Sequence, residues 1–200
     1  ALAVLKLKAW REIADINMQA VLFAVLYTLI VTQSFSQEKI LQSLLFLFSL
    51  GAYLCYGVLV NDYCDMPIDI KAGKRAEMRK VSRSVLLGLI LTLLIVGVLP
   101  IVLQARNPEL FLILVLMYFF ATFYSAYPFR FKERATLGTL IDMLIEKTFP
   151  LVLVLIFFDY YSLDALIVVL FFSAMQLKLI LDHQIFDYAD DSSSGVRTFA

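Results

Sequence analysis

Residues 84–105 read SVLLGLILTLLIVGVLPIVLQA, a run with no formally charged side chain. At about 20 residues per crossing, such a run carries an α-helix through the roughly 30 Å hydrocarbon core of a bilayer. Uncharged stretches of similar length recur at 16–37, 40–61 and 110–129. Two more, at 137–158 and 162–181, are long enough but hold Asp142, Glu146, Lys147 and Lys178. Hydrophobic residues make up 62% of the chain, above the roughly 45–50% of an ordinary soluble domain. These features predict an all-α, polytopic transmembrane helix bundle with about six spans. No repeat at a fixed period and no low-complexity tract divides it, so 1–200 is expected to form a single transmembrane domain.

The net charge is zero, which points away from nucleic acid as a partner; the placement of the charges is the informative part. Six spans sort the connections onto two sides. Lys6, Lys8, Arg11, Lys71, Lys74, Arg75, Arg79, Lys80, Arg83, Arg130, Lys132, Arg134 and Arg197 fall on the side of the N-terminus, 13 of the 17 Lys and Arg residues. Lys39 and Arg106 fall on the other side. The positive-inside bias therefore predicts a cytoplasmic N-terminus, in an integral membrane protein of the cell inner membrane. Cys55 and Cys64 sit at the cytoplasmic end of the second span, where reducing conditions disfavour a disulfide; packing is the expected role.

The connection after the second span begins Asn61-Asp62-Tyr63-Cys64-Asp65-Met66-Pro67-Ile68-Asp69. At about 100° per residue, Asp62, Asp65 and Asp69 share one helical stripe with Asn61 beside it. Aligned carboxylates repel, and a hard cation such as Mg²⁺, which prefers oxygen ligands and substrate phosphates, relieves that repulsion. Pro67 predicts a break in the stripe, with Asp69 directed elsewhere. After the sixth span, Asp187-Tyr188-Ala189-Asp190-Asp191 repeats the theme. Four crossings lie between the two acidic clusters, so both face the cytoplasm and can meet across the mouth of a bundle. Two such clusters suit a multiply charged anion held through two metal ions, and a diphosphate has that character. Between them, after the fourth span, Arg130 and Lys132 offer positive charge to phosphate oxygens, as do Lys74, Arg75 and Arg79 after the first cluster.

On these residues the chain resembles the UbiA superfamily of intramembrane prenyltransferases. The family's first signature, Asn-Asp-x-x-Asp-x-x-x-Asp, is matched by Asn61, Asp62, Asp65 and Asp69. Its second is matched by Asp187, Asp191, Gly195 and Thr198, with Gln184 in place of its first Asp. The connection after the fourth span resembles a third pattern through Tyr124, Ser125, Pro128, Arg130 and Lys132, whereas Arg79-Lys80-Val81 departs from the family's Arg-Pro-Leu.

The resemblance implies Mg²⁺-dependent transfer of a prenyl group from a polyprenyl diphosphate donor to an aromatic acceptor within the membrane. Asn61, Asp62, Asp65, Asp69, Asp187 and Asp191 would then hold metal. Asp65, Asp187 and Lys132 would carry catalysis, and Asn61, Arg130, Lys132, Arg79 and Tyr124 would bind substrate. It also implies about nine spans in a complete enzyme, so the chain is expected to be truncated and to leave an apolar groove where further helices pack.

Several residues keep two readings. Asp142 and Glu146, one turn apart within the fifth span, either belong to an acceptor pocket or proton-transfer site, or are paired with Lys147, Lys178 or another helix; charge at that depth is costly and is usually functional or paired. Lys178 and Asp182 have the spacing of a local ion pair. His183, the only histidine, suits packing or capping better than support of Asp187. The aromatics Tyr118, Phe119, Phe120, Phe123 and Tyr124 suit either cation stabilisation or packing. Two rival functions remain. One is a related enzyme that uses a diphosphate with a non-aromatic acceptor or cyclises it; the other is an ion-coupled membrane carrier built on Asp142, Glu146, Lys147 and Lys178.

Overall fold

The structure is a computed structural model that describes residues 7–71, 82–104 and 107–193, with side chains over 17–68, 82–104 and 107–186. Helices α1 (Leu7–Val31), α2 (Gln37–Lys71), α3 (Arg83–Gln104) and α4 (Pro108–Ser125) come first. A 3₁₀ turn at Phe131–Glu133 leads into a fifth rod made of α5 (Ala135–Met143), a π-helical turn (Leu144–Thr148) and α6 (Phe149–Phe157); α7 (Leu163–Ser193) follows. No strand occurs among the described residues.

Four segments are long and apolar enough to cross a bilayer: Gln37–Ile68, Arg83–Gln104, Pro108–Ser125 and Leu163–Phe186. The apolar part of α1, Asn17–Val31, is shorter, and the fifth rod is interrupted by its π turn. Leu91, Ile95, Leu99 and Leu103 on α3 and Leu163, Leu166, Ile167 and Leu170 on α7 are exposed. Such apolar faces on successive turns are disfavoured in water and suited to lipid. The molecule is an all-α membrane helix bundle, as the apolar runs predict.

Helix α2 runs through the middle and packs against α1, α3 and α4. Its Phe46 and Leu50 are buried with Val21 and Val25 of α1, Leu110 and Met117 of α4, and Leu151, Leu153 and Val154 of α6. Where hydrocarbon surrounds the helices, close approach of backbones replaces the hydrophobic effect as the main source of association. Gly97 provides that approach: a Cβ there would lie 3.2 Å from the Ser49 carbonyl oxygen on α2 and 2.2 Å from the Tyr118 hydroxyl on α4.

Two features were not foreseen from the sequence. Pro67 lies inside α2, which continues to Lys71 rather than breaking. A proline removes one backbone hydrogen bond, and here the packing of the adjacent Met66 against Leu86 and Tyr63 holds the helix together. The fifth rod is also irregular. In its π turn the Phe149 N–H reaches the Leu144 carbonyl, five residues back. In that register the Ile145 carbonyl would take the N–H of residue 150, which is proline and has none. The Tyr53 hydroxyl of α2 donates to that carbonyl instead, at 2.9 Å, so the buried acceptor is satisfied from a neighbouring helix.

The connection between α4 and the fifth rod is tightly fixed. Arg130 adopts a left-handed backbone, φ 44° and ψ 56°, which is uncommon for a residue with a Cβ and needs outside support. Its N–H reaches the Ala126 carbonyl at 3.0 Å. Gly138, on the first turns of α5, lets the 3₁₀ turn lie directly on that helix, since a Cβ there would come 2.7 Å from the Phe131 carbonyl oxygen and 3.2 Å from Lys132 Cα.

Candidate active site

Asn61 and Asp65 stand one turn apart on α2, facing the connection that Gly138 and Arg130 hold in place. Lys132 joins them. Its Nζ lies 2.6 and 2.5 Å from the two carboxylate oxygens of Asp65 and donates to Asn61 Oδ1 at 2.8 Å. The Ser125 hydroxyl donates to the same Asn61 oxygen at 2.6 Å. Arg130, buried to 6% exposure, donates from Nη2 to Asp65 Oδ1 and from Nη1 to the Ser125 carbonyl, both at 3.3 Å; its Nε pairs with Glu133. Burial works against the guanidinium's charge, but Glu133 and then Asp65 outweigh it and raise its pKa above the usual value. The side chain therefore stays cationic at the place where its strained backbone turns.

Behind this cluster opens a cleft of about 600 Å³. Asn61, Asp62, Asp65 and Lys132 line one part of it, and Tyr53, Tyr124, Asp142, Glu146 and Asn17 line the rest. From Asp65 back to Tyr53 along α2 is about 18 Å at 1.5 Å per residue. Gly57 also lines the cleft and leaves open space where a side chain would stand. Tyr124 and Asp142 face each other across this part of the cleft. Glu146 accepts from Gln176 Nε2 of α7, and Lys147 donates to Asn17 of α1.

The structure thus brings Asn61, Asp62, Asp65, Lys132, Arg130 and Tyr124 together. The Arg79 position and the side chains of Asp69, Asp187 and Asp191 lie outside the described residues, as do Gly195 and Thr198. The helix that carries Asp187 and Asp191 does approach the cluster: Gln184 Nε2 of α7 donates to Thr139 Oγ1 of α5 at 2.9 Å, next to Gly138, on which the Lys132 turn rests. Among the five aromatics considered for cation stabilisation, Tyr124 faces the cleft. Phe119, Phe120 and Phe123 pack on Phe129 and Phe131 of the connection. Lys178 pairs with Asp182 at 2.5 Å with its side chain 73% exposed, so the four residues expected of a carrier do not assemble. His183 is exposed, and Cys55 and Cys64 are unpaired thiols. Sequence reasoning passed over Asn17, Gln176, Tyr53 and Glu133. An amide inside an apolar run was the available signal for the first two; the role of the others depends on the π turn and on the left-handed Arg130.

The sequence model of the UbiA prenyltransferase family matches residues 20–200. The chain belongs to this family. Comparisons with curated proteins and with solved structures each give no match. Membership makes the chain an integral membrane protein of a family of transferases that move prenyl groups from polyprenyl diphosphates and generally depend on a divalent metal. Among the described residues, no group of three or more His, Cys, Asp or Glu side chains is placed to hold a metal ion. The donor chemistry nonetheless fits one. Asn61 Oδ1 and both Asp65 oxygens converge within 2.8 Å of a single cationic atom, an all-oxygen arrangement of the sort hard divalent cations take.

Proposed function

We propose that the chain catalyses Mg²⁺-dependent transfer of a prenyl group from a polyprenyl diphosphate to an aromatic acceptor, at a site facing the cytoplasm in the inner membrane. The observation that carries this reading is the Lys132 contact, which joins two sequence signatures 67 residues apart, Asn61–Asp65 and the 124–132 connection. Asn61, Asp62, Asp65 and Asp69 from α2, with Asp187 and Asp191 from α7, would hold the metal. Bound there, it would neutralise the diphosphate and ease its departure.

The chain's own residues supply the rest. Lys132 and Arg130 put two cations beside one acidic cluster, and the donor's phosphate oxygens provide the charge they attract. Arg79 is assigned a further phosphate contact on sequence position alone. The cleft behind receives the isoprenoid, with Tyr124 presenting ring surface to an allylic cation near the mouth, Gly57 giving room, and Tyr53 lining the far end where the tail lies. As the allylic carbon–oxygen bond breaks, its electron pair leaves with the diphosphate; the acceptor then bonds to the freed carbon and loses a proton. Walls that exclude water protect the cation from quenching.

Purified protein in lipid, given a radiolabelled polyprenyl diphosphate and a mixture of aromatic acceptors, tests the proposal. Labelled lipid product should appear with Mg²⁺, vanish with chelator and return on adding Mg²⁺ back. Product formed equally well in chelator would overturn the metal assignment, and failure to consume the donor under any condition would overturn the reading as a whole.

A further inference from the structure

The part of the cleft away from Lys132 has a chemistry that the diphosphate reading does not use. Asp142 and Glu146 lie one turn apart on the fifth rod, and both line the cleft. Tyr124 faces Asp142, while Gln176 donates to Glu146. Lys147, the residue after Glu146, turns its ammonium toward Asn17 and does not line the cleft. Lys132, a cation that does line it, is held at the mouth by Asp65 and Asn61. Two carboxyl groups inside a membrane protein are costly to maintain and generally mark a site.

Building on the reading above, we infer that Asp142 and Glu146 select the acceptor: the cleft takes an aromatic molecule with a hydrogen-bond donor, such as a phenolic hydroxyl, and rejects one that carries a carboxylate. A carboxyl oxygen accepts a hydrogen bond from a hydroxyl and orients the ring toward the allylic carbon. A third carboxyl group brought against this pair must keep its charge in surroundings of low dielectric constant, which disfavour an ionised group and strengthen repulsion between like charges. Discrimination of this kind comes from penalising the wrong molecule as well as from contacts to the right one. The phosphate-binding cations offer an acidic acceptor no alternative place, because the donor occupies them.

The test gives the full chain geranyl diphosphate as donor and compares hydroquinone with 4-hydroxybenzoate, two phenols that differ by a carboxylate in place of a hydroxyl. Donor binding and slow donor hydrolysis without acceptor are measured alongside, so that loss of the diphosphate site is seen separately from loss of acceptor choice. The wild type should prenylate hydroquinone at least about tenfold more efficiently than 4-hydroxybenzoate. Asp142→Asn and Glu146→Gln should narrow that preference to within about threefold, through KM for the acceptor, with donor binding unchanged. Glu146→Asp, which keeps the carboxyl group, should retain the preference; it also guards against reading a folding defect as lost selection. Equal use of the two phenols by the wild type, or a preference untouched in both neutralised variants while donor binding persists, would overturn the inference. Absent donor binding in the wild type would instead overturn the prenyl-transfer reading.

Discussion

Lys132 satisfies two acceptors with one ammonium, and both belong to a different helix. Replacing it with Met keeps much of its length and removes the charge. A hydrogen bond to a charged group contributes about 1.5–3 kcal/mol, so Lys132→Met should raise KM for the diphosphate donor roughly 10- to 100-fold, with the bundle still folded. Steady-state kinetics at saturating acceptor would show this, and an unchanged KM would remove Lys132 from the phosphate site. Asn61, Asp65 and Lys132 were legible in the sequence because their spacing on a helix and on a short connection is regular. Arg130 was legible as a cation but not as a buried one, since its contacts with Ser125 and Glu133 follow from a left-handed backbone that composition does not announce.

At the scale of elements, the fifth rod decides how the cleft is walled. Its π turn leaves the Ile145 carbonyl to Tyr53 because Pro150 has no N–H. Tyr53→Phe should therefore destabilise the bundle by about 1–3 kcal/mol. In a Pro150→Ala background an N–H becomes available, and the same change should cost less. Thermal unfolding of the four proteins in detergent measures the coupling; additive effects would mean that proline and tyrosine act independently. A second test concerns the seating of the 3₁₀ turn. Gly138→Ala forces a methyl group to within 2.7 Å of the Phe131 carbonyl oxygen, an overpacking that typically costs about 1–3 kcal/mol. It should lower the unfolding midpoint and weaken donor binding together, as Lys132 shifts from Asp65. Normal donor binding in a destabilised protein would separate the turn from the site. The helical periods of these elements could be read from apolar runs, but the π turn and the persistence of α2 through Pro67 could not. Both depend on partners supplied by other helices, namely Tyr53 in one case and Leu86 in the other.

Over the whole molecule, hydropathy was enough to specify a helix bundle, because a chain that spans lipid must satisfy its backbone internally. Parity of the spans further predicts that the two acidic clusters share one end. The Gln184–Thr139 bond supports this by tying the approach to Asp187 to the helix that seats Lys132. With Cys55 and Cys64 replaced by Ala, single cysteines at Phe129 and Phe186, both exposed, should react with a membrane-impermeant maleimide from the same side of sealed vesicles. Labelling from opposite sides would separate the clusters. What hydropathy and parity leave unspecified is the acceptor, since the carboxyl pair behind the mouth acts through side-chain placement inside a span.

The most direct test of a single diphosphate site built from both clusters is turnover of a radiolabelled polyprenyl diphosphate across a Mg²⁺ titration in Asp65→Asn and Asp187→Asn. Each substitution keeps size and removes one negative charge, and His183→Ala serves as a control that should retain most activity. Loss of one well-placed electrostatic stabiliser typically costs about 10²- to 10³-fold in rate. Both Asp variants, shown to be folded, should fall at least that far, whereas turnover like that of the wild type in both would contradict the two-cluster site.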